Sequence, residues 1–86
     1  MIFGIEKIGM EDDKAMDIAI GRYIRKYRKR KNMTQKQLAN EVGKCQSMIA
    51  HWENGTKRIG LVDAVVIFKI LGADMSDFKM PSKKEE

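Results

Sequence analysis

Apolar residues recur at helical spacing in the first third of the chain. They are separated by four, four and three positions, which is the stripe of an amphipathic helix. The stripe consists of Met16, Ile20, Ile24 and Tyr27. The pattern predicts a helix from about Asp13 to Lys31, with Asp12 or Asp13 capping its first turn.

A second, short helix is predicted after the polar break at residues 32–34. Thr34 stands three residues before Gln37, a spacing at which the two side chains cap each other across a helix N-terminus. Leu38, Ala39 and Val42 form the apolar face of this helix. Gly43 follows it, as expected where a helix ends in a left-handed residue, so the helix should end near Val42.

A third helix is predicted to begin near Gln46, after a connection of two or three residues. Ile49 and Trp52 are three positions apart and should face inward, and the pair at 54–55 (Asn-Gly) should stop the helix. The small side chain at Ala39 allows close contact between the second and third helices. Two short helices that cross steeply across a tight turn form a helix-turn-helix arrangement.

The segment 61–71 is predicted as a fourth helix that is apolar almost all round. Its only charges are Asp63 and Lys69, so it needs cover on two sides. Gly72 should end it, and residues 75–78 should add one last turn. The pattern therefore predicts an all-α bundle of four to five short helices. Its organisation is an N-terminal extension (1–12), a helix-turn-helix domain (13–79) and a charged, disordered tail (80–86).

Length and charge narrow the possible functions. A chain of 86 residues holds one domain and has no room for a second, catalytic one. It carries 17 Lys and Arg against 12 Asp and Glu, and seven of the ten residues from Arg22 to Lys31 are basic. Such a run suggests an anionic partner, although a solvated helix face has the same composition.

Few residues of the chain suit catalysis or metal binding. A single cysteine, Cys45, cannot form an internal disulfide, which favours a cytoplasmic location. One His and one Cys do not supply the four ligands of a structural zinc, and no nucleophile stands with a base. The apolar start, Met1 to Ile5, is too short to be a signal or to span a membrane. We therefore expect no enzyme activity, cofactor, metal site, membrane contact or small-molecule substrate.

Several short motifs at fixed spacing resemble a known family. Thr34-Gln35-Lys36-Gln37-Leu38-Ala39, then Val42-Gly43, Ile49 and Trp52-Glu53-Asn54-Gly55 look like the Xre/Cro/C1 group of phage and bacterial regulators. The likeness covers about residues 20–78. It implies a lambda-repressor-like fold, double-stranded DNA as the partner, and a third helix that enters the major groove as the recognition helix.

The resemblance also implies roles for single residues. Gln46, Ser47 and His51 would face base edges, where Gln pairs with adenine, Ser donates or accepts, and His donates to guanine acceptors. The plainer reading is N-terminal polarity for the first two and simple exposure for His51. The phosphate-binding positions would be Gln35, Lys44, Asn54, Lys57 and Arg58. Arg28 would pair with Glu53 and brace the third helix.

Two features depart from the family pattern. Cys45 stands before the third helix where Ser or Thr is usual, so a helix cap worth about 1 kcal/mol is lost. A thiol there could have a lowered pKa, but we do not predict a redox sensor. Val62, Val66 and Ile70 form an extra apolar stripe on the fourth helix. This stripe is either a dimer surface or a contact for residues 2–10.

The leading hypothesis is a transcription regulator, most simply a repressor, that binds a palindromic operator as a homodimer. The alternative is an antitoxin or other partner-binding module that masks a second protein, such as a toxin, and whose DNA binding is autoregulatory. A controller of a restriction-modification system has a similar size, and the residues do not separate an activator from a repressor.

Overall fold

The computed structural model describes residues 2–78, with the side chains of 14–74 and 76–78; the predicted disordered tail lies outside this range. The elements are α1 (Ile2–Arg30), α2 (Gln35–Val42), α3 (Gln46–Asn54), α4 (Leu61–Leu71) and a short 3-10 turn (Met75–Asp77), here the C-terminal turn. No β-strand occurs within residues 2–78. The predicted all-α fold is confirmed.

Helix α1 is longer than its apolar stripe predicts. It begins at Ile2 and runs without a break to Arg30, so the predicted start near Asp13, with a cap at Asp12 or Asp13, is wrong. Residues 2–13 contain no proline, and extending an existing helix costs far less than starting one, so the two glycines in this segment do not stop it. Residue 13 therefore lies inside a helix.

Local capping chemistry sets the bounds of α2. The Thr34 hydroxyl accepts a hydrogen bond from the Gln37 backbone N–H at 3.0 Å. The Gln37 side chain accepts one from the Thr34 backbone N–H at 2.8 Å, which completes the capping box. At the other end Gly43 adopts a left-handed φ of 76°. The predicted second helix is confirmed at both ends.

Helices α3 and α4 also begin and end as predicted. Gly55 ends α3 with φ 74°, and its added Cβ would lie 2.8 Å from Ile18, so both conformation and space favour glycine there. Cys45 stands at the N-cap of α3 with extended backbone but makes no side-chain cap hydrogen bond. The expected loss of this cap is confirmed.

The core lies where α1, α2, α3 and α4 meet. The residues with no exposed surface are Ile24, Leu38, Ile49 and Ile67; Ala39, Trp52 and Leu71 are nearly as buried. Trp52 is thus a core aromatic, as predicted. Helix α1 crosses the end of α3 at Gly21, where a Cβ would lie 2.2 Å from the Trp52 carbonyl oxygen. Only glycine permits this crossing.

The C-terminal turn is docked on α1 through two tyrosines. The Tyr27 hydroxyl donates to the Asp77 carboxylate at 2.6 Å, and the Tyr23 hydroxyl donates to the Asp74 carbonyl. The rings of Tyr23 and Phe78 pack edge to face with centroids 5.1 Å apart. These contacts hold the C-terminal turn against α1.

Candidate nucleic-acid interface

Helix α3 has one buried side and one polar, exposed side. Ile49, Trp52 and Glu53 are buried against the rest of the bundle. The three predicted base-reading residues, Gln46, Ser47 and His51, are all exposed. Ser47 and His51 are four positions apart and so lie one above the other on the helix surface. The structure therefore presents these three polar side chains together on one short helix.

The side chain of His51 is tied to the loop after α3. Its Nδ1 lies 2.8 Å from the Thr56 hydroxyl oxygen. The same hydroxyl donates to the His51 carbonyl at 3.2 Å, and the Thr56 backbone N–H donates to that carbonyl at 3.0 Å. Nothing in the helical pattern marks Thr56, because it lies beyond the end of the helix.

A buried ion pair connects α1 to α3. The Arg28 guanidinium donates to Glu53 from Nε at 2.5 Å and from a terminal nitrogen at 3.1 Å. Its other terminal nitrogen donates to the Met33 carbonyl at 2.7 Å. The Glu53 side chain has no exposed surface, and Arg25 adds a longer contact to it at 3.9 Å. The structure thus contains the ion pair that the family resemblance implies.

Gln35, at the start of α2, joins this cluster. Its amide nitrogen donates one hydrogen to Glu53 at 3.1 Å. An amide nitrogen carries two hydrogens, so the second remains for another acceptor. Gln35 is half-buried, and its hydrogen bond to Glu53 connects the start of α2 to α3.

The predicted phosphate-binding cations differ in their partners. Lys44, in the turn before α3, lies 3.6 Å from Asp63 of α4, with both side chains partly exposed. Exposed pairs of this kind contribute about 0–1 kcal/mol, so a phosphate can compete for Lys44. Arg58 lies 3.3 Å from Asp17 of α1. Lys57 and Asn54 are exposed.

Cys45 lies at the edge of this polar surface. Its sulfur is 3.3 Å from the Ser47 hydroxyl. That hydroxyl stabilises the thiolate, as does the Met48 backbone N–H, and together they lower the pKa of the Cys45 thiol below its usual value. The thiol is exposed, so its reactive form is accessible to solvent.

Helix α4 exposes an apolar surface that differs from the predicted stripe. Leu61 is 80% exposed, Val62 75%, Val65 48% and Val66 36%; we call these four residues the α4 patch. Ile70 instead packs against the core. A spacing of four drifts by about 40° per step around a helix of 3.6 residues per turn, so the third member of the stripe turns inward. The alternative contact, with the side chains of residues 2–10, lies outside the described residues.

Two further properties concern only the described part of the chain. There, no group of three or more His, Cys, Asp and Glu side chains is arranged to hold a metal ion. In the same residues, no helix has both the length and the apolar composition that crossing a membrane requires.

The comparisons with known proteins identify the family. A family model described as Helix-turn-helix matches residues 24–78, which is more than half of the chain and runs from the last two turns of α1 through the C-terminal turn. Neither the curated proteins nor the solved structures gave a match. The matched region contains α2, α3 and the Arg28–Glu53 pair. The chain therefore belongs to the Xre/Cro/C1-type helix-turn-helix family of DNA-binding transcription regulators.

Proposed function

We propose that this protein is a homodimeric transcription regulator, most simply a repressor, that acts in the cytoplasm and inserts α3 into the major groove of a palindromic operator. The observation that carries the proposal is the exposed polar side of α3, held in place by the buried side of the same helix. A rigid support matters because base contacts require side chains fixed to within a fraction of an ångström.

The first step is base reading from the start and middle of α3. Gln46 stands in the first turn and is exposed, and a Gln amide pairs bidentately with adenine N6 and N7. Ser47, next to it, can donate to or accept from a base edge. His51 follows one turn later. A recognition helix typically reads bases with its N-terminal residues, which matches this order.

The second step is phosphate binding on both sides of α3. Gln35 and Lys44 precede the helix, whereas Asn54, Lys57 and Arg58 are at its end or in the following loop. The major groove is about 12 Å wide and is bordered by one phosphate backbone on each side. Donors before and after the helix therefore suit the two backbones, and their contacts would fix the register of α3.

The third step is dimerisation through the α4 patch. Its four aliphatic side chains are between 36% and 80% exposed, and covering them is favourable because apolar surface leaves water. A two-fold interface uses the same patch on both copies. A dimer formed in this way would present two copies of α3 to half-sites about one helical turn apart, and such a dimer would bind a palindromic operator.

The same patch supports a second candidate function. An antitoxin or other partner-binding module would cover the α4 patch with a different protein, and its DNA binding would be autoregulatory. The two candidates differ in the isolated protein: a regulator of the first kind is a stable dimer alone, whereas the second is a monomer until its partner binds.

The proposed roles are tested with two variants on the preferred operator. Gln46→Ala should lower operator binding by about 1 to 3 kcal/mol and leave binding to random DNA nearly unchanged, because it removes a base contact. Lys57→Ala should weaken both and reduce the slope of log affinity against log salt by about 1. Equal losses for the two variants on both DNAs would contradict the assignment.

A further inference from the structure

A chain of hydrogen bonds favours one of the two nitrogens of His51, Nδ1, as the one that carries the proton. The Thr56 hydroxyl oxygen lies 3.2 Å from the His51 carbonyl oxygen. A carbonyl oxygen has no hydrogen, so the hydrogen between these two atoms is the single one of the hydroxyl. Thr56 therefore donates to the carbonyl and has only lone pairs left for other partners.

The next bond in the chain must then run from His51 to Thr56. Nδ1 lies 2.8 Å from the same hydroxyl oxygen, whose hydrogen is already used. Nδ1 therefore carries a hydrogen and donates it. A neutral imidazole has one hydrogen in total, so Nε2 of His51 has none and is an acceptor.

This acceptor lies on the side of α3 that the proposed function turns toward DNA. His51 is exposed, and it stands one helical turn after Ser47. The bond from Nδ1 to the loop occupies one edge of the ring. The opposite edge, with Nε2, is the part of the side chain that remains to meet a base.

We infer that neutral His51 reads an exocyclic amino group, N6 of adenine or N4 of cytosine, and that Thr56 is the positioning residue that fixes this choice. On the contacted DNA strand, guanine offers only acceptors in the major groove, and thymine offers an acceptor and a methyl group. His51 with a bare Nε2 therefore favours adenine or cytosine and disfavours guanine or thymine. This replaces donation to guanine, which the residue type alone suggests, and it rests on the proposed function.

The protonated nitrogen can be observed without DNA. His51 is the only histidine, so a nitrogen-15 spectrum at pH 8, where an ordinary histidine is neutral, reports this ring alone. We expect the Nδ1–H form in the wild type and in Thr56→Ser, which keeps the hydroxyl. Thr56→Val should shift the ring to the Nε2–H form. A wild-type ring in the Nε2–H form would overturn the inference.

The base preference is tested by selecting bound sequences from a random pool at pH 8. The position that His51 contacts is the one whose preference disappears in His51→Ala. The amino group at that base pair is then removed by synthesis, with purine in place of adenine or 2-pyrimidinone in place of cytosine. Binding of the wild type should fall by roughly fivefold or more, and binding of Thr56→Val should stay unchanged. Unchanged wild-type binding to the DNA without the amino group, or no position that depends on His51, would overturn the inference and leave the proposed function standing. Failure to recover any motif would instead overturn the proposed function.

Discussion

The N-cap residues of α2 and α3 have nearly the same backbone geometry, but their side chains differ in helix capping. Thr34 has φ −81° and ψ 164°, and Cys45 has φ −88° and ψ 158°. Both stand at an N-cap, but only the Thr34 side chain accepts a hydrogen bond from a backbone N–H of its helix. A thiol is a weak acceptor, so no side chain caps the first turn of α3, and the Met48 backbone N–H donates to the Cys45 carbonyl at 3.1 Å.

Cys45→Ser should therefore stabilise the protein by about 1 kcal/mol, because the hydroxyl can accept from the Met48 backbone N–H as Thr34 does in α2. Urea unfolding followed by Trp52 fluorescence measures the change. Cys45→Ala is the matched control, since it removes the thiol without adding an acceptor. If the serine variant is no more stable than the alanine variant, the missing cap has no energetic importance.

Single residues were predictable where their role depends on near neighbours in sequence. The Thr34–Gln37 capping box and the left-handed Gly43 follow from spacing alone. The role of Gly21 was not predictable, because the atoms that exclude a side chain there belong to Trp52 and Glu53, far along the chain. The bond between His51 and Thr56 was missed because the helical pattern stops at Gly55.

Between elements, the Arg28–Glu53 pair is the main polar connection. It joins α1 to α3, and Gln35 brings α2 to the same carboxylate. A buried carboxylate is stable only when its partners are all present. This cluster therefore fixes the orientation of α3 relative to the helices that support it.

Arg28→Met should cost about 3 kcal/mol or more, because it leaves the Glu53 carboxylate buried without its cation. The double variant Arg28→Met, Glu53→Met should recover much of that loss, since no charge then remains buried. Arg22→Met, an exposed arginine on the same helix, should change stability by less than about 0.5 kcal/mol. Denaturant unfolding of the three variants measures these differences. Similar stabilities for the two single variants would contradict the account.

The C-terminal turn gives a pH-dependent contact with α1. The hydrogen bond from Tyr27, followed by the nearby charge of Lys26, lowers the pKa of the Asp77 carboxyl below its usual value. A lowered folded-state pKa means that the contribution to stability is fully present above the unfolded pKa of about 4 and is lost as pH falls through the lower folded value.

Tyr27→Phe should raise the pKa of Asp77 toward its usual value, because the hydroxyl that stabilises the carboxylate is gone. A carbon-13 titration of the Asp77 carboxyl in the two proteins measures the shift. The stability difference between wild type and variant should also shrink below about pH 4. An unchanged Asp77 titration would show that Tyr27 does not hold the turn.

Element bounds were predictable where strong stop signals flank the helices. The bounds of α2, α3 and α4 follow from Thr34 and from the glycines at 43, 55 and 72. The start of α1 was not predictable, because residues 2–13 lack the clear apolar stripe that marks the rest of α1. A helix can extend through a segment that has no such stripe, so the pattern alone does not reveal where α1 begins.

At the scale of the whole molecule, the proposed dimer depends on the α4 patch, the apolar surface that the bundle leaves exposed. The fourth helix was expected to need cover on two sides, and the described chain covers only one of them. Which residues form the uncovered side was only partly predictable. Leu61 and Val65 join Val62 and Val66 there because the orientation of α4 in the bundle, and not the spacing of the stripe, decides which side is left open.

Val62→Glu should make the protein monomeric at concentrations where the wild type is a dimer, because a carboxylate would be buried between two copies. Sedimentation measures the mass. Asn40→Glu, which adds the same charge at an exposed position of α2, is the control and should remain dimeric. A wild type that is monomeric by itself would favour the partner-binding candidate.

The central claim is that two copies of α3 read a palindromic sequence, and selection from a random DNA pool by the purified protein tests it most directly. The selection is run at two salt concentrations, because purely electrostatic binding is lost as salt rises. A dimer that reads DNA with two copies of α3 should recover a palindrome with half-sites about one helical turn apart at both concentrations. Binding that is lost at the higher salt and yields no motif would contradict the central claim.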